Sequence, residues 1–95
     1  MLNYKQVQAM QKAYGYDEMQ SLIDSGMAWS LEGSMGRAAM SALECGACML
    51  PKVIHYDYYG NPVPSRDQLK AGTKGTFQNA SKFWTGVDEG SIFLN

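Results

Sequence analysis

The stretch from Ser34 to Pro51, SMGRAAMSALECGACMLP, decides the architecture. Ala38, Ala39, Ala42 and Ala47 are strong helix formers, and the run predicts a helix from Ser34 to Met49. Ser34 suits its N-cap. Met35, Ala39, Ala42, Leu43 and Gly46 line one side. So many small residues on one face let a second helix approach closely, within the chain or in another copy of it. Pro51 stops the helix, because the residue before a proline avoids the helical conformation.

Toward the N-terminus, a helix is expected from about Asn3 to Tyr14, capped by Asn3 and ended by Gly15. Val7, Met10 and Tyr14 give it one apolar face. A second begins near Asp17, with Asp17 and Glu18 well placed in its first turn. Met19, Leu22, Ile23 and Met27 form its stripe, and Trp29 and Leu31 extend the burial. Gly26 interrupts that pattern.

Beyond Pro51 the reading changes. All three prolines lie in 51–95. Val53–Tyr56 suits a short strand or an extended arm, and Tyr58-Tyr59-Gly60-Asn61-Pro62 is turn chemistry. Pro62 and Pro64 stiffen the chain around Val63. Ser65 is expected to cap a short helix over Arg66–Ala71. Thr76 is expected to cap another over Phe77–Trp84, stopped by Gly86 and made apolar by Phe77, Ala80, Phe83 and Trp84. The tail Ser91–Leu94 is apolar enough to dock.

The chain has 95 residues, 45% apolar and 18% charged, with a formal net charge of −1. That size implies one domain, a helical body at 1–50 and an arm at 51–95, and excludes large multi-step enzymes. Near-neutrality argues against coating of DNA regardless of sequence. No run approaches ~18 apolar residues, so no membrane span is expected, and the start lacks the apolar core of a signal peptide. A cytoplasmic protein is the expectation. The charge is uneven: residues 1–50 carry a net −2 and residues 51–82 a net +3. Seven Met, six Tyr and two Trp suit an interaction surface as well as a small core.

Candidate chemistry is sparse. Cys45-Gly46-Ala47-Cys48 is a C-x-x-C, but at a helix C-terminus, where the dipole raises a thiol pKa. With His55 and Asp57 it makes a Cys/Cys/His/Asp set, whereas structural zinc sites usually carry two C-x-x-C pairs or a C-x-x-C plus two His, so buried cysteines and no metal or other cofactor are expected. His55 lacks a recognisable nucleophile, so no enzymatic activity is expected. Gly33-Ser34-Met35-Gly36-Arg37 opens a helix, where free amides and Arg37 suit a phosphate or carboxylate, although G-x-x-G is a weak motif. The most distinctive run interleaves aromatic and basic residues on a stiff segment: Tyr56, Tyr58, Tyr59, Asn61, Arg66, Lys70 and Lys74. It suits a protein-binding arm with tyrosine anchors, or a nucleotide or nucleic-acid contact, or an irregular cover over the helices.

Three runs carry a resemblance: Trp29-Ser30-Leu31-Glu32-Gly33-Ser34-Met35-Gly36-Arg37, then Asp57-Tyr58-Tyr59-Gly60-Asn61-Pro62-Val63-Pro64-Ser65-Arg66, then Gly72-Thr73-Lys74-Gly75-Thr76. Together they resemble a group of small proteins encoded by tailed bacteriophages, over about residues 20–85. That resemblance implies an accessory factor. Such a factor binds a host enzyme, blocks a defence system such as CRISPR or restriction, or decorates a virion. It carries over no catalytic or binding residue.

The expected fold is mostly α: about three main helices wrapped by an extended Pro/Gly-rich arm with short helices. The alternative is α+β, with one short hairpin or strand pair near 53–63. The expected function is stoichiometric binding of a host or phage protein through Tyr56, Tyr58, Tyr59, Asn61, Arg66, Lys70 and Lys74. The alternatives are capture of a nucleotide or nucleic acid with Arg37, and a minor virion role. A homo-oligomer is a further expectation.

Overall fold

Residues 47–50 lie outside helix and strand between two apolar clusters, and every one is buried. Their side chains alternate between the two. Ala47 and Met49 accordingly join one apolar cluster, with Val7, Ala80, Phe83, Trp84 and Val87. Cys48 and Leu50 join the other, with Ile23, Trp29, Ala39, Leu43 and Val63. Tyr16 packs against both.

A computed structural model describes residues 1–30 and 33–94. Its elements are α1 Tyr4–Ala13, α2 Asp17–Ser25, α3 Met27–Ser30, α4 Ser34–Cys45, β1 His55–Tyr56, β2 Pro62–Val63 and α5 Phe77–Asp88. The fold is mostly helical, with one small antiparallel sheet that pairs His55 with Val63 and Tyr56 with Pro62. Helices α2, α3 and α4 surround the first cluster, and α1 packs against α5 around the second. Among the described residues, no helix is long and apolar enough to cross a membrane.

A buried segment outside helix and sheet must find partners for its peptide groups elsewhere. Here side chains supply most of them. Gln20 acts as a substitute neighbour strand for Met49: its Oε1 accepts from the Met49 amide (2.7 Å) and its Nε2 donates to the Met49 carbonyl (3.0 Å). The Ala47 carbonyl accepts from Gln11 Nε2 (3.0 Å) and Trp84 Nε1 (3.1 Å). The Leu50 amide donates to the Gly75 carbonyl (2.8 Å), and its own carbonyl accepts from Arg66 Nε (2.7 Å).

Several local expectations hold. Asn3 caps α1 in a reciprocal capping box with Gln6, and Thr76 caps α5 by accepting from the Asn79 amide. The strand pair falls within 53–63. Other expectations are corrected. The helix from Ser34 ends at Cys45, not Met49, because Gly46 turns left-handed (φ +97°). A Cβ there would sit 2.8 Å from Phe83 Cβ, so glycine is what lets α5 approach. Gly33, not Ser34, is the N-cap of α4.

Gly26 breaks the second helix outright (φ +84°), and the His55 ring lies where its Cβ would be. The chain restarts as α3 in a new direction, which leaves Met27 exposed while Trp29 stays buried. Leu31 lies outside the described residues. No helix forms over Arg66–Ala71; six residues scarcely repay nucleation, and Arg66 is drawn inward instead. Helix α5 runs past Gly86 to Asp88, because bare Gly86 seats Ile92 of the tail. The small-residue face of α4 packs within the chain, with Ala39 and Ala42 buried in the first cluster.

Candidate functional site

A cleft of about 960 Å³ opens between α3, α4 and the hairpin. Its apolar wall is Trp29, Leu43, Leu50 and Val63, which are also members of the first core cluster. Met40, Tyr58 and Tyr59 add exposed apolar surface at the same cleft. Gly33, Gly36 and Arg37 bring the first turn of α4 to it, and Asp57, Glu44 and Lys74 complete its charges.

The hairpin turn is fixed by its own hydrogen bonds. Asp57 Oδ1 accepts from the amides of Tyr59 (2.9 Å) and Asn61 (2.8 Å), and Gly60 supplies the left-handed residue (φ +83°). This Asx-type closure holds the two tyrosines on a preformed loop. Their rings meet edge to face with centroids 5.1 Å apart, and they are 56% and 70% exposed. The loop therefore presents a large aromatic surface whose ordering cost is met within the free protein.

The predicted contact residues separate. Tyr58, Tyr59, Arg37 and Lys74 converge on the cleft. Tyr56 is exposed on β1 but does not line it, and Asn61 is tied to Asp57 in the turn. Lys70 is exposed and also lies off the cleft. Lys74 is engaged by Glu44 in an exposed ion pair. Arg66 is the clear correction. Only 7% exposed, it donates from Nη2 to Asp24 Oδ1 (2.6 Å), from Nη1 to Tyr4 Oη (3.1 Å) and from Nε to the Leu50 carbonyl. It ties α1, α2 and the central segment together and is not a contact residue in this conformation.

The other chemistry candidates do not assemble. Among the described residues, no group of three or more His, Cys, Asp and Glu side chains is placed to hold a metal ion. His55 Nε2 donates to the Asp24 carbonyl (3.1 Å) and its ring fills the space over Gly26. Cys45 is exposed and Cys48 is buried, its thiol near the Tyr16 carbonyl. Burial, then Cys45 and Asp24, pushes the Cys48 thiol from 9.0 up to about 12, far from a reactive thiolate. Burial and the two cysteines also raise the Tyr16 phenol.

The sequence reasoning missed Trp29 and Met40 as cleft residues. Trp29 was read only as an extension of the buried stripe. The available signal was the nearness in sequence of an aromatic residue to the Gly33–Arg37 turn. Comparison with protein-family models, curated proteins and solved structures gave no match.

Proposed function

We propose that the protein is a non-enzymatic accessory protein that binds another protein stoichiometrically, holding a segment of it in the cleft between α3, α4 and the hairpin. The observation that carries this reading is the pair of exposed tyrosines held on a preformed turn beside an apolar cleft. Exposed aromatic anchors at the edge of a concave apolar surface are what protein-binding hot spots use. The resemblance to tailed-phage proteins suggests the setting: an infected cell, with a host enzyme or defence component as target.

Tyr58→Ala and Tyr59→Ala test the reading on a partner isolated by tagged pull-down from bacterial lysate. Each substitution weakens binding by about 2 kcal/mol or more, because hot-spot truncations do so. The melting temperature stays within a few degrees, because both side chains are largely exposed. Unchanged affinity with a normal melting temperature sinks the assignment.

Nucleotide capture is the weaker reading. It needs Arg37, Lys70, Lys74 and the tyrosines to act together, and although Arg37, Tyr58 and Tyr59 meet at the cleft, Lys74 is paired and Lys70 lies off it. Its sign is affinity that falls steeply with salt. A virion role predicts the chain in purified particles.

A further inference from the structure

The cleft contains two features that the fold itself does not use. The first is Trp29. It is 94% buried, given its 6% exposure, and it lines the cleft. Among the described residues, its Nε1 is the buried side-chain polar atom with no hydrogen-bond partner. An indole N–H out of water and unpaired is costly, and native proteins seldom leave one so without a reason. The other tryptophan has no such deficit, since Trp84 Nε1 donates to the Ala47 carbonyl.

The second feature is the start of α4. Gly33 caps it without any side-chain hydrogen bond, and among the described residues no side chain accepts from its first-turn amides. Gly33 and Gly36 open this turn to the cleft, and Arg37 stands exposed beside them. No ion pair engages Arg37 among the described residues, whereas Lys74 is committed to Glu44. Free amides at a helix N-terminus and an unpaired guanidinium attract an anion. The orphaned indole calls independently for an acceptor.

We infer that the cleft takes a peptide segment bearing a carboxylate next to a bulky apolar residue. The carboxylate sits at the start of α4 with Arg37, the Trp29 indole, whose Nε1 is closed to solvent in the free protein, turns to donate to an acceptor of the segment, and the apolar side chain lies among Leu43, Val63 and Tyr58. A carboxylate fits better than a phosphate. With Lys74 and Glu44 paired to each other, Arg37 is the remaining cation at the cleft and Asp57 the remaining carboxylate, so added negative charge is opposed and a dianion more than a monoanion. The inference rests on the protein-binding reading above and names the chemistry that reading left open.

The test uses the full chain labelled with ¹⁵N, in which each of the two indole N–H groups gives its own resonance. Three probes are titrated. One is a pool of blocked hexapeptides with a fixed aspartate flanked by leucine, methionine, phenylalanine or tyrosine. The second is the same pool with asparagine for aspartate, and the third is inorganic phosphate. The aspartate pool should move the Trp29 indole resonance downfield and leave that of Trp84 in place. The asparagine pool should bind about tenfold more weakly, the loss expected for a charge-assisted contact. Arg37→Gln should abolish most of that preference with the Trp84 signal unchanged.

Equal binding of the two peptide pools overturns the carboxylate while leaving the protein-binding reading intact. A Trp29 shift with phosphate at concentrations where peptides give none overturns it in favour of a phosphate site. If no probe moves the Trp29 indole, the inference is wrong, and the tyrosine substitutions then decide the protein-binding reading separately.

Discussion

Replacing Gln20 with Met keeps the volume of the side chain and removes its amide. The amide is the part that holds the central segment. Its loss leaves the Met49 N–H and C=O, both buried, without the one hydrogen-bond partner they have among the described residues, and Gln11 Nε2 without one of its two acceptors. An orphaned buried group costs about 1–3 kcal/mol. Two such groups, less about 1 kcal/mol from the added apolar burial, give a net loss of roughly 3 kcal/mol. In a domain of this size each kcal/mol shifts the melting temperature by about 4–8 °C, so a fall of roughly 12–24 °C is expected. Thermal melts followed by circular dichroism measure that fall, urea melts followed by tryptophan fluorescence measure the free energy, and hydrogen exchange at the Met49 amide reports the local effect. Gln20→Glu separates hydrogen bonding from packing. Its carboxylate still accepts from the Met49 amide but faces the Met49 carbonyl and Asp24, which Gln20 Nε2 now serves. That environment raises the pKa of the new carboxyl, so the variant is weakest near neutrality and recovers as acid protonates it and restores a donor. A loss below about 1 kcal/mol for Gln20→Met, with Met49 protection unchanged, would refute the idea that side chains substitute for a neighbouring strand.

Further expectations follow from the same contacts. Arg66→Met removes the donor to Asp24, Tyr4 and the Leu50 carbonyl and should cost about 3 kcal/mol in a urea melt, because it leaves a partly buried carboxylate unpaired. Arg66→Lys should recover little of that, since one ammonium cannot match a guanidinium fork aimed at three acceptors; full recovery would show that charge alone matters. Gly75→Ala places a Cβ 2.6 Å from Leu50 Cγ at φ +93° and should cost about 2 kcal/mol, whereas an unchanged urea midpoint contradicts that close seat. The Cys48 thiol holds its proton up to about pH 12 in the folded chain but loses it near 9.0 once exposed. The unfolded state therefore binds fewer protons between those values, and stability falls as pH rises above 9. Cys48→Ala should flatten that decline in urea midpoints, and an equally steep decline in the variant would place its cause elsewhere.

Where a single residue dictates backbone geometry, the sequence was readable. Asn3 with Gln6 and Thr76 with Asn79 are local hydrogen-bonding pairs, complete within one turn, and both helix starts fell where those residues stand. The prolines and Gly60 marked the hairpin for the same reason. Errors arose where two distant segments decide the outcome. Nothing near Gly46 says that Phe83 will press against it, and nothing near Gly86 says that Ile92 will sit there. The same glycine type ends one helix and passes through another because the neighbour differs. The alternation of residues 47–50 between two clusters was hidden for a similar reason. Alanine, cysteine, methionine and leucine in a row suit a buried strand and a buried helix equally well.

The misreading of Arg66 and the partial reading of the cleft share one cause. Charge and aromaticity along a chain say which side chains can make strong contacts, not whether those contacts are made inside the molecule or left outside. Arg66 and Arg37 show both outcomes. Arg66 follows a stiff Pro-Val-Pro segment that brings it back beside Asp24, where a guanidinium can satisfy three acceptors and remain buried. Arg37 stands in the first turn of α4, two residues before buried Ala39, so its side chain stays at the surface. One arginine thus completes the fold, and the other remains at a cleft with an orphaned indole and a helix start capped by a glycine that has no side chain to offer. Had Arg37 found an internal carboxylate, or Trp29 an internal acceptor, the cleft would be only a surface depression. In the proposed reading, an orphaned indole and a guanidinium without an ion-pair partner among the described residues, beside tyrosines on a preformed turn, are what would make the cleft a binding site and not an imperfection of packing.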